Sequence, residues 1–136
     1  MKSLVKLSVA IAALSGFGTF AAQPAHASAA EFYKCSLNEG ASFKQLKEAT
    51  AAFLKDAKKN GRDQYSVRFL VPLYAGDIGG NTFWWVGIGP SVGSVASEND
   101  YWMSEANATH RKAIFAIIKD CTSSSLHEII DVKVEE

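Results

Sequence analysis

From residue 31 onward, apolar positions first alternate, then recur at helical spacing, then alternate again, and each change of period marks an element. Tyr33, Cys35 and Leu37 share one side of a strand over residues 31–37, which Asn38-Glu39-Gly40 stops. Ser42-Phe43-Lys44-Gln45 has the S-x-x-Q form of a capping box. The segment behind it puts Phe43, Leu46, Thr50, Phe53, Leu54 and Ala57 on one stripe and lysines on the other side, with Asn60-Gly61 as a stop. Tyr65, Val67, Phe69 and Val71 alternate as a second strand until Pro72. A glycine-rich connection over residues 76–81 leads into Thr82-Phe83-Trp84-Trp85-Val86-Gly87-Ile88, the most aromatic strand, and the two strands read as a hairpin. Residues 89–100 read as a polar loop. A second helix is predicted over Ser104–Cys121, with Ala106, His110, Ala113, Ile114, Ile117 and Cys121 in phase. Leu126 to Val134 reads as the last strand, carrying Ile130, Val132 and Val134 in phase.

The element order is βαββαβ. Right-handed crossovers fold it into a ferredoxin-like α+β domain, a four-stranded antiparallel sheet with two helices on one face. The opposite face then carries Phe32, Leu70, Ile129 and one of Trp84 and Trp85, beside Lys34, Arg68 and Asp131. That surface is too apolar to stand in water and calls for a cover.

The first 27 residues belong to a different physical class. Lys2 and Lys6 precede an apolar stretch from Leu7 to Phe20, and Ala25-His26-Ala27 offers an A-x-A cleavage site, with Ala22 a weaker one. Ser15, Gly16 and Gly18 interrupt the apolar stretch, which is too short for a bilayer span, so residues 1–27 read as a cleaved signal peptide. Residues 28–136 then form a single domain, periplasmic or secreted, with no membrane attachment after cleavage. Loss of Lys2 and Lys6 leaves 12 basic residues against 14 acidic ones, interspersed, which argues against nucleic acid as a partner.

In an oxidising compartment the only two cysteines of the chain, Cys35 and Cys121, read first as a disulfide. Two buried free thiols, or one nucleophilic thiol, are the alternatives. The predicted topology brings the end of the first strand and the C-terminus of the second helix to one edge, so the bridge is expected to tie that helix to the sheet. A bridge over so long a loop restrains the unfolded chain by about 4–5 kcal/mol in the chain-entropy model.

In element order and length the mature chain resembles the dimeric α+β barrel superfamily, which includes antibiotic-biosynthesis-type monooxygenases, haem-degrading enzymes and NIPSNAP-like proteins. The resemblance implies a homodimer in which two sheets pack face to face into a barrel. Some haem-degrading members use an Asn, a Trp and a His, roles to which Asn38, Trp84 and His110 correspond here.

The residues themselves offer limited chemistry. Trp84 or Trp85, with Trp102 and the loop from Gly87 to Gly93, form a candidate pocket for a small aromatic or sugar-like ligand; Asn38 is a further candidate contact. Adjacent strand residues face opposite sides, so one Trp of the pair lines any given pocket. His110, alone among the histidines on an apolar stripe, and His127 are the candidate catalytic groups. Ligand spacing for a metal is absent, the glycines after the Trp pair do not match a nucleotide-binding turn, and no hydrolase elbow occurs. Two functions of different class remain: an exported small-ligand-binding or interaction module with no cofactor, and a cofactor-independent or haem-dependent monooxygenase-like enzyme using the barrel cavity.

Overall fold

The structure, a computed structural model, describes residues 28–73 and 80–130. The signal-peptide reading of residues 1–27, and Asp131, Val132 and Val134, lie outside them. Among the described residues the elements are β1 (Ser28–Leu37), α1 (Phe43–Lys59), β2 (Ser66–Leu70), β3 (Thr82–Gly89), α2 (Val92–Met103), α3 (Ala108–Phe115) and β4 (Ile118–Ile129). A 3₁₀ turn, Glu105–Asn107, joins α2 to α3. The strands form one antiparallel sheet in the order β2-β3-β1-β4, the ferredoxin-like arrangement that the element order predicts.

The first half follows the sequence pattern closely. Ser42 Oγ accepts from the Gln45 N–H at 3.3 Å, and Gln45 Oε1 accepts from the Ser42 N–H at 2.9 Å, so two otherwise orphaned donors are satisfied where α1 begins. The helix ends at Asn60, followed by Gly61 at φ +75°, a left-handed conformation that glycine adopts without a Cβ clash. Leu46, Thr50, Phe53 and Ala57 are buried along its stripe. Leu46 and Phe53 join Cys35, Leu37, Phe83, Ile114 and Ile118 in the core between sheet and helices.

The second half departs from expectation. Where a polar loop was predicted, α2 begins at an N-cap, Ser91, whose hydroxyl accepts from the Ser94 N–H at 3.1 Å. Only Val95 and Glu98 of this helix are buried, so its period hardly registers in the hydrophobic pattern. The close approach to β3 depends on Gly89, since a Cβ there would stand 2.9 Å from Val95 Cγ2. The helix predicted over Ser104–Cys121 is confined to Ala108–Phe115, after the 3₁₀ turn, and Ile118 to Cys121 belongs to β4. Helical spacing loses there to pairing with β1, in which Ile118 faces Leu37, Asp120 faces Ser36 and Cys121 faces Cys35, with register shifts on β1 between Ser36 and Leu37 and between Lys34 and Cys35. Asn38 secures the junction. Its N–H donates to the Ile117 carbonyl at 2.8 Å and its Nδ2 to the Ala116 carbonyl at 2.9 Å, so two carbonyls beyond the helix end are satisfied without helical continuation. The last strand therefore starts eight residues before the predicted Leu126, and described residue Ile130 lies just past its end.

Cys35 and Cys121 form the disulfide, across a sequence separation of 86. Its place differs from the expected one. Cys121 stands on β4 rather than on a helix stripe, so the bridge ties the edge strand β4 to β1 and not a helix to the sheet. The sheet face away from the helices carries Phe32 and Lys34 of β1, Trp84, Val86 and Ile88 of β3, Arg68 and Leu70 of β2, and Ile129 of β4. Leu70 is 50% and Ile129 37% exposed on that face.

Candidate functional site

On the helix side of the sheet a cavity of about 260 Å³ lies between β1, β3 and the helices α2 and α3. Its walls are largely aromatic and apolar: Phe53 of α1, Trp85 of β3, Trp102 and Met103 at the end of α2, and Phe115 of α3. Met103 is 62% and Phe115 56% exposed, so these two side chains stand where the cavity meets solvent. Trp102 packs edge-on against Phe53 with ring centroids 4.9 Å apart, and Trp85 against Phe69 at 5.3 Å.

The polar end is built by strand alternation. Glu31 and Tyr33 sit two apart on β1 and so share the helix-facing side, where Tyr33 Oη donates to Glu31 Oε2 at 2.9 Å. Tyr65, just before β2, donates from its Oη to the other carboxylate oxygen, Oε1, at 2.5 Å. Because β3 lies between β2 and β1, this second bond spans two strand spacings of about 4.8 Å each. It is possible because the β3 residue opposite both Glu31 and Val67 is Gly87. A Cβ on Gly87 would stand 2.1 Å from Tyr65 Oη and 2.6 Å from Glu31 Oε1, so the hydroxyl and the carboxylate occupy the volume of the missing side chain.

Burial, then the Glu31 charge and the hydrogen bond to it, push the Tyr33 hydroxyl up to about 12. The same causes, burial foremost, push Tyr65 higher still, opposed in part by a hydrogen bond with Trp85. Both phenols are therefore neutral donors at ordinary pH. Each has its proton on Glu31, which leaves the free lone pairs of the hydroxyls as acceptors.

A second carboxylate enters from α2. Glu98 is only 4% exposed and lines the same cavity. Its Oε2 accepts from Arg62 at 3.2 Å, while its Oε1 is buried without a hydrogen-bond partner among the described residues. Desolvation raises its pKa, the hydrogen bond and charge of Arg62 oppose the rise, and the charge of Glu31 adds to it. Arg62 in turn stacks over the Tyr101 ring at 4.4 Å and donates to the Ser97 carbonyl at 3.2 Å.

Of the residues singled out from the sequence, the structure brings Trp85 and Trp102 together at this cavity. Trp84 stands on the opposite sheet face, paired with Lys34 and Leu70. Asn38 lies at the junction of α3 and β4, away from the cavity lining. His110 lies behind Phe53, with its ring 6.0 Å from that ring and its Nε2 3.4 Å from Asp56 Oδ2. His127 is on the other face of the sheet, edge-on to Phe32 at 5.3 Å and 2.9 Å from Ser125 Oγ. The glycines of the expected Gly87 to Gly93 ligand loop give room to the protein's own side chains at Gly87 and Gly89. Sequence reasoning passed over Glu31, Tyr33, Tyr65 and Glu98. One signal for the first was available: a carboxylate in phase with Tyr33, Cys35 and Leu37 on the buried side of a strand. Glu98 had none, because its helix was read as a loop. Among the described residues no group of three or more His, Cys, Asp or Glu is arranged to hold a metal ion.

In topology the protein is a ferredoxin-like α+β domain, a four-stranded antiparallel sheet in the order β2-β3-β1-β4. Among solved structures, the hydroxynitrile lyase from Passiflora edulis is similar with a TM-score of 0.52 at 12% identity, over 80% of this chain and 99% of that one. A cofactor-independent oxygenase from Streptomyces nogalater is similar at 0.44 and 8% identity, over 79% and 96% of the two chains. A provisionally assigned antibiotic biosynthesis monooxygenase from Chloroflexus aurantiacus gives 0.48 and 9%, over 79% and 97%. At such identities the likeness concerns the fold. No protein-family model and no curated protein matches the chain.

Proposed function

We propose that the protein is an exported small-ligand-binding module whose site is the cavity between the sheet and α2 and α3. The observation that carries this is a cavity of about 260 Å³ walled by Trp85, Trp102 and Phe53, with a tyrosine–glutamate–tyrosine unit at its polar end. An apolar cavity of about 150 Å³ accepts benzene, so this one has room for a ring system of roughly bicyclic size. The Glu31 carboxylate is fixed by two phenols and cannot turn away, which orients whatever polar group the ligand presents. Export rests on the reading of residues 1–27, and the Cys35–Cys121 bridge fits an oxidising compartment.

The apolar sheet face around Phe32, Trp84 and Ile88 is proposed as the contact with a second copy, giving a two-fold homodimer. Phe32→Glu is expected to convert the dimer to monomer in sedimentation; a monomeric wild type would remove this part of the reading.

Isothermal titration with naphthalene- and indole-sized ligands tests the site. Trp85→Ala and Trp102→Ala should each weaken binding about tenfold or more, while Trp84→Ala, on the far face, should leave it within about twofold. Absence of binding by every bicyclic ligand near millimolar concentration would refute the proposal.

A second reading places proton-transfer chemistry in the same cavity, as in a cofactor-independent enzyme, and the carboxylate held between Tyr33 and Tyr65 favours it. The fold likeness to a hydroxynitrile lyase supports it only at the level of architecture. Neither His110 nor His127, the histidines weighed for a haem-dependent reaction, lines this cavity. Turnover of a bound aryl substrate that is abolished by Glu31→Gln would favour the enzyme over the binding module.

A further inference from the structure

The polar groups of the residues that line the cavity are unevenly matched. Glu31 accepts from both phenols, whose remaining lone pairs are acceptors. Glu98 Oε1, on a residue 4% exposed, is buried with no partner among the described residues. Two carboxylates line the cavity against one neighbouring guanidinium, and that guanidinium bonds Glu98 through the other oxygen. Among the described residues no lysine or arginine lines the cavity itself. An anionic ligand would find no counter-charge there and two carboxylates to repel it. A ligand with a hydrogen-bond donor would fill an empty acceptor, and a cation would also restore charge balance.

The walls favour the cation further. Trp85 and Trp102 present indole rings to the same space, and a desolvated ammonium ion beside such rings is attracted to their electron-rich faces.

We infer that the ligand of this site is a small aryl-alkyl amine bound as its ammonium ion, its ring among Trp85, Trp102 and Phe53 and its N–H groups on Glu98 Oε1 and the acceptors around Glu31. This rests on the cavity being a ligand site and names the chemical class of its occupant. Arg62 stays on Oε2, so Glu98 bridges a fixed cation on one side and the ligand cation on the other.

Three ligands of matched shape test it by isothermal titration at neutral pH: 1-naphthylmethylamine, 1-naphthylmethanol and 1-naphthoate. The amine should bind at least about tenfold more tightly than the alcohol, with the carboxylate weakest. Glu98→Gln should reduce the amine's advantage to about threefold or less while leaving the alcohol within about threefold of its wild-type affinity. An alcohol that binds as well as the amine, or a carboxylate that binds best, overturns the inference and leaves the cavity reading standing. Failure of all three to bind overturns both. The comparison of ligands on the unaltered protein decides the matter even if the Glu98 variant does not fold.

Discussion

Gly87→Ala gives the sharpest test of how the polar end of the cavity is assembled. The added methyl would stand 2.1 Å from Tyr65 Oη, 2.7 Å from Tyr65 Cζ and 2.6 Å from Glu31 Oε1, all far inside van der Waals contact. Relief requires the Tyr65 ring to withdraw, and the ring is the rigid body of a half-buried side chain. The hydrogen bond to the carboxylate, worth about 1.5–3 kcal/mol as a bond to a charged group, is then lost. Overpacking adds about 1–3 kcal/mol. Against this, replacing glycine by alanine within a strand restores about 0.5–1 kcal/mol by narrowing the unfolded ensemble. The expected net destabilisation is about 1.5–5.5 kcal/mol, read as a lower urea midpoint at unchanged slope with the disulfide intact. In a Tyr65→Phe background the closest contact is gone, and the same substitution should lose at least about 1 kcal/mol of its effect. Gly87→Ala within about 0.5 kcal/mol of the parent, or equal costs in the two backgrounds, would refute the account of Gly87 as the space through which Tyr65 reaches Glu31.

Further expectations concern the bridge, alkaline pH and the buried pair. Reduction of Cys35–Cys121, or its replacement by serines, should remove about 4–5 kcal/mol in the chain-entropy account for a separation of 86, less any strain relieved, measured by denaturation with and without reductant. Tyr33 titrates near 12 in the folded protein against about 10 in the unfolded chain, and Tyr65 is raised further. A raised folded value means stability is fully present below pH 10 and falls as pH climbs from about 10 through 12, because the unfolded state gives up its protons first. Tyrosinate absorbance should show a delayed component that coincides with unfolding and shrinks in Tyr33→Phe and Tyr65→Phe; titration of all tyrosines near their ordinary value would contradict this. Arg62→Ala, which strands a Glu98 carboxylate whose side chain is 6% exposed, should cost about 2–4 kcal/mol in denaturation, and adding Glu98→Gln should recover part of that. No recovery would show that Arg62 acts through its contacts with Ser97 and Tyr101 instead.

The hydrophobic pattern alone determined α1 with both of its ends, the three strands β1 to β3 and the ferredoxin-like order of the sheet, because each rests on local signals: a capping box, a stripe at helical spacing, an alternation. It also placed Trp84 and Trp85 on opposite sides of β3, though it could not choose which Trp faced the cavity; the cysteine pairing came from their count and the expected oxidising compartment. The boundaries after Gly89 were decided by tertiary contacts. Residues 92–103 have their apolar positions gathered at the two ends around a polar middle, which hides the helical stripe, and α2 forms because Ser91 caps it and Val95 settles over Gly89. Ile118 to Cys121 carry helical spacing, yet β1 supplies a hydrogen-bond ladder that the local pattern cannot register, and so Cys121 moved from a helix to an edge strand. The cavity is the extreme case. Glu31, Tyr33, Tyr65, Glu98 and the gap at Gly87 come from β1, the residue preceding β2, α2 and β3, and their chemistry exists only where the sheet register and the helix layer set them side by side.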